Sequence, residues 1–189
     1  FDFESDNPAM ETCFEALREN PPDGSVGGAL LSRANRAKLN DDWEGKHPFD
    51  SKNGIERLKQ WLRPESPQNP AYEATIALAF CSEETRDALL PLAYAYPDDD
   101  VNLEAGWADL KNEGQKGLEF LQEASLDPHR SSTAISYLRE LEHDDDIPEA
   151  ALDPNFIAKA EMIDWLQHPN EIGDSPESIE QIDTRNVYW

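Results

Sequence analysis

Residues 97–125 read PDDDVNLEAGWADLKNEGQKGLEFLQEAS, and this stretch decides the fold. Pro97 with Asp98, Asp99 and Asp100 makes a turn and an acidic helix start. Val101, Ala105, Ala108 and Leu110 then form an apolar stripe, Gly114 breaks the chain, and Leu118 and Leu121 open a second stripe. Two short amphipathic helices back to back are what this spacing dictates. The pattern recurs on both sides. Leu89 and Leu92 precede Leu118 and Leu121 by 29 positions, Ala74 in YEATIALAF precedes Ala105 by 31, and Ala105 precedes Ala134 in STAISYLREL by 29. A repeat of about thirty residues built from helix pairs is the signature of a helical solenoid.

Working outward, helices are predicted at 70–81 and 83–96, 101–112 and 114–125, and 130–142 and 154–167. The last carries Phe156, Ile157, Ala160, Ile163 and Leu166 on its inward face. Upstream, Met10, Cys13, Phe14 and Leu17 give a helix at 8–19, ended by Pro21 and Pro22. Ser25 is placed to cap a helix at 25–38, where Gly27 and Gly28 point to close packing on a neighbour. The segment 40–53 reads as a loop, 54–62 as a short helix pairing with 25–38, and 63–70 as a turn with three prolines. The expectation is an all-α chain, an α-solenoid of about four helical hairpins. It divides into an N-terminal helical part at 1–63 with a degenerate first repeat, an array at 64–168, and an extended tail at 169–189.

The residues Pro97, Asp98 to Asp100, Val101, Ala105, Ala108, Leu110, Gly114, Leu118 and Leu121 resemble the HEAT-like repeats. In particular they resemble the short class of about thirty residues in phycobilisome-lyase-type proteins, and the resemblance covers roughly 70–167. It implies an armadillo-like, right-handed superhelix with the second helix of each pair lining the concave side. The chain departs from the pattern at Asn102, where that family usually places an Arg that joins a ladder of aspartates.

Composition bounds the function. The 189 residues suffice for one domain that buries roughly 70% of its unfolded surface without a metal or a disulfide. Forty acids against 16 bases leave a net charge of −24, and mean hydropathy is −0.74. Residues 1–94 carry a net −7 and residues 95–189 a net −17. Such a field repels phosphate backbones and anionic membranes, so direct nucleic-acid binding and membrane association are not expected. Three readings of the acidity stay open: a solubility device, a match to a basic protein partner, and imitation of DNA. Cys13 and Cys81 form no Cys-x-x-Cys pair, and Cys81 at the end of TIALAFC reads as a core residue. No apolar run reaches the ~20 residues of a membrane span, and FDFESDNPAM lacks the features of a signal peptide, so a cytoplasmic location is expected.

No motif fixes a reaction. His47, His129, His143 and His168 lie beside Pro or Asp, lack the spacing of a helical metal site, and read as solvated loop histidines. Asp98–Asp100 and Asp144–Asp146 are consecutive, without the alternation and glycine of a calcium loop. Asp100 is expected as a helix cap, while the second triplet follows a helix end where the dipole disfavours it. Trp61, Trp107 and Trp165 fall at apolar-face positions and read as core. Arg86, Tyr94, Glu119 and Glu123, on the second helices of their pairs, are expected to face a protein partner. The reading is a non-catalytic protein–protein interaction scaffold with no cofactor and no metal. The alternatives are a HEAT-like lyase or metal-dependent enzyme without a recognisable motif, and an acidic DNA-mimic inhibitor.

Overall fold

The computed structural model describes residues 8–167, which are all-helical, with nine α-helices, two 3-10 turns and no strand. The helices are α1 Pro8–Glu19, α2 Gly24–Leu39, α3 Lys52–Trp61, α4 Gln68–Leu78, α5 Glu83–Tyr94, α6 Asp99–Leu110, α7 Gln115–Ser125, α8 Ser131–Glu140 and α9 Pro154–Gln167. The expected tail lies outside the described residues, as does His168. Expected boundaries hold to within two residues, except the C-terminal end of α4. Pro70 stands in the first turn of α4, where a missing N–H costs nothing because the first four are unpaired anyway.

Helices α2, α4, α6 and α8 each touch the next, forming one layer, while α5 lies against α4 and α6, and α7 against α6 and α8. Helix α3 lies against α1, α4 and α5 and meets α2 through Trp61. A shared cluster joins Leu31, Leu58 and Trp61 to Ala74, Leu78, Leu89, Ala105 and Trp107, running across residue 63 without a break. Ala74, Ala105 and Ala134 are all fully buried, one on each of α4, α6 and α8.

The helix starts are spaced by slightly more than the 29 positions that separate the leucine pairs. Helices α4, α6 and α8 start at Gln68, Asp99 and Ser131, 31 and 32 positions apart, and α5 and α7 start 32 apart. A spacing of 29 falls three residues short, which moves a residue one turn along the same helix face. Periodicity alone therefore cannot separate the two values.

Glycine allows α6 and α7 to approach closely. A Cβ on Gly117 of α7 would stand 2.5 Å from Gly106 O and 2.6 Å from Leu110 N of α6, so only glycine fits. In α2 the two glycines differ. A Cβ on Gly27 would collide with Pro22 O and come within 3.0 Å of Trp61, whereas one on Gly28 would meet nothing within 4 Å. Close packing accounts for Gly27 only.

The caps shift from the expected residues. Asp23, not Ser25, caps α2, through its carboxylate on Gly24 N at 2.7 Å. Asp98, not Asp100, caps α6 by accepting from Asp100 N and Val101 N at 3.1 Å each. A cap needs extended backbone at the residue before the helix, and Asp98 has φ −155° and ψ 128°. Asp144–Asp146 form a 3-10 turn in which Asp146 Oδ2 meets His143 Nδ1 at 2.7 Å.

Candidate functional site

The chemistry-bearing side chains inside the fold are tied to one another across helices. Glu104 of α6 is only 4% exposed, and its Oε1 accepts the hydroxyls of Tyr72 on α4, at 2.7 Å, and of Tyr137 on α8. Burial raises the Glu104 carboxyl above its ordinary range; the two tyrosine hydrogen bonds oppose the rise, while Glu140 and Asp100 add to it. Burial raises both tyrosines as well, with the Glu104 charge adding to it, so they act as donors. Trp107 Nε1 donates to Glu140 Oε1 at 3.1 Å, a further tie between α6 and α8.

His47 departs most from expectation. It lies in the 40–51 loop but is fully buried rather than solvated. Its Nδ1 accepts from Phe49 N at 3.3 Å, which leaves the proton on Nε2, 3.1 Å from Asn35 Oδ1. Burial, with the Lys38 and Arg18 charges, lowers its pKa to about 3 against the opposing pull of Asp50, so the ring is neutral. Asn35 passes the connection on: its Nδ2 donates to Glu73 O at 2.8 Å and to Glu73 Oε2 at 2.7 Å. A buried chain thus runs His47–Asn35–Glu73 from the loop through α2 to α4. The PF dipeptide after His47, which drives the loop into the core, was its only sequence signal.

Glu73 lines a cleft of about 880 Å³ between the first turns of α2, the 61–67 turn and the start of α4. Gly24, Ser25, Gly28, Ala29 and Ser32 form the α2 wall, Pro67, Asn69 and Pro70 the α4 wall, and Trp61 and Arg63 the end. The α2 wall has no side chain larger than serine, which is why the cleft exists.

Of the four residues expected to face a partner, Arg86 and Tyr94 are engaged by neighbouring helices. Arg86 Nη1 bonds Asn112 Oδ1 at 2.8 Å and Cys81 O at 3.3 Å. The Tyr94 hydroxyl donates to Asp109 Oδ2 at 3.3 Å, and its ring packs edge-on against Phe120 with Lys116 Nζ over its face. Both are half-buried and join α5 to the end of α6 and to α7. Glu119 and Glu123 are exposed one turn apart on α7. Asn102 bonds the carbonyls of Ala93, Tyr94 and Tyr96, closing the end of α5 instead of entering an aspartate ladder. Trp61 and Trp107 are core as expected, but Trp165 is 58% exposed, with Met162 and Ile157 also exposed on α9. The face of α9 expected inward is therefore only partly covered, by Ala160 and Ile163. Cys81 is buried, and burial pushes its thiol up, away from nucleophile behaviour.

Among the described residues no cluster of three or more His, Cys, Asp or Glu stands in position to hold a metal ion, and no helix is long and apolar enough to cross a membrane. Compared with protein-family models, curated proteins and solved structures, the chain finds no match.

Proposed function

We propose that this protein is a non-catalytic scaffold, an array of acidic HEAT-like helical hairpins that docks a protein partner of basic character. One observation carries the reading. Two buried polar groups with catalytic potential serve as structural ties: Glu104 joins Tyr72 and Tyr137, and His47 joins Asn35. Asp50 follows suit, accepting from Ser82 N, Ser82 Oγ and Thr85 Oγ1 at 3.0, 2.9 and 2.8 Å. Chemistry spent on architecture leaves the surface as the working part, and that surface is acidic in a chain of net −24. The succession of contacts α2 to α4, α4 to α6 and α6 to α8 is in keeping with a helical array, and repeat arrays bind partners along an extended face.

Affinity capture from native cells at ~50 and ~300 mM salt tests the reading, because exposed charge pairs weaken as the screening length shrinks. A specific basic protein held at low salt and released at high salt supports it. A nucleic-acid-binding protein displaced by added DNA points to mimicry instead, and bound iron or a coloured chromophore in the purified protein contradicts a bare scaffold.

A further inference from the structure

We propose that the cleft between α2 and α4 is where an extended segment of the partner docks, with a lysine or arginine of that segment received by Glu73. This rests on the scaffold reading and adds the place and chemistry of contact. The cleft has the size of a ligand site, about 880 Å³. Its α2 wall includes Gly28, where a Cβ would touch nothing within 4 Å. Glycine in a helix interior is destabilising relative to alanine, and no neighbour in the fold requires it here. The open wall leaves room for a ligand backbone to lie close against α2.

The Glu73 carboxylate is fixed from behind. Asn35, 1% exposed, donates to its Oε2 at 2.7 Å, and Asn35 is itself held by fully buried His47. Asn35 is a neutral donor, so it orients the carboxylate without cancelling its charge, and two buried polar side chains are committed to that orientation. The remaining lining matches a cationic chain. Asp23 and Glu65 accompany Glu73 against a single cation, Arg63, while Asp23 also pairs with Arg57 at 2.9 Å. Trp61, Pro67 and Pro70 offer apolar surface for the aliphatic stem of lysine or arginine.

The test is fluorescence anisotropy of the full chain with a short labelled Lys-Pro repeat peptide and its Glu-Pro counterpart at ~50 mM salt. The wild-type protein binds the first and not the second. Glu73→Gln weakens binding roughly tenfold. Gly28→Leu, which fills the cleft from its open wall, abolishes it, with circular dichroism confirming the helices, and paired Glu119→Gln and Glu123→Gln changes leave it intact. Binding unchanged by Glu73→Gln and Gly28→Leu, or weakened equally by the α7 pair, overturns the cleft while leaving the acidic scaffold standing. A wild-type protein that does not prefer the Lys-Pro peptide overturns both.

Discussion

The hydroxyl of Tyr72 donates to Oε1 of Glu104 at 2.7 Å, linking α4 to α6 through a carboxylate that is almost wholly removed from water. Tyr137 meets the same oxygen from α8, so one buried carboxyl group ties α4, α6 and α8 together. A buried carboxylate with two donors specifies register, because any slip would strand it without partners.

Glu104 makes stability depend on acid in a definite sense. Its folded pKa lies above the ordinary 4.5, so the folded chain binds the proton more readily than the unfolded one. Its contribution is full below 4.5 and is lost as pH rises through the folded value. Urea unfolding across pH 4–8 should show Glu104→Gln lacking this dependence and at least as stable as wild type at neutral pH. Glu104→Ala strands both hydroxyls and should cost about 1–3 kcal/mol.

His47 acts in the opposite direction. Its pKa of about 3 in the fold, against 6.5 unfolded, means that the unfolded chain alone gains a proton between those values. Its stabilising contribution is present above pH 6.5 and falls by about 1.4 kcal/mol per pH unit on acidification toward pH 3. Comparing wild type with His47→Gln at pH 7 and 5 isolates this slope; parallel losses in the two proteins would contradict the assigned neutral ring.

Two glycines should answer alanine in opposite ways. Gly117→Ala drives a methyl into the α6 backbone at Gly106 and Leu110 and should destabilise by about 1–3 kcal/mol. Gly28→Ala meets open space and should stabilise the helix by about 1 kcal/mol. Thermal unfolding of the two variants checks both signs.

Asp50 caps a helix from a distant loop. Its carboxylate takes Ser82 N at the start of α5, where Ser82 itself makes no side-chain cap bond. Asp50→Ala should therefore cost about 1–2 kcal/mol, with faster hydrogen exchange in the first turn of α5. Unchanged exchange there would mean that the cap contributes nothing.

Helix positions and the buried alanines of α4, α6 and α8 could be read from residue spacing, because one apolar face per helix leaves a direct trace in sequence. What spacing does not record is contact between distant segments. The burial of His47, the capping of α5 by Asp50 and the half-burial of Arg86 and Tyr94 all involve partners 12 to 35 positions away. Trp165 shows the converse limit: an apolar-face position on α9 faces solvent, because coverage depends on what lies opposite. Glu73 gave no sign in the sequence, since its role comes from the Asn35 donor behind it.

The most direct test of the scaffold is zero-length cross-linking in native lysate at ~50 and ~300 mM salt, followed by mass spectrometry of the joined peptides. The account predicts one basic protein whose lysines join to carboxylates of this chain at low salt, with Glu73 or Glu65 among them, and links that fade at high salt. A linked protein that is acidic, or links equally abundant at both salts, would contradict it.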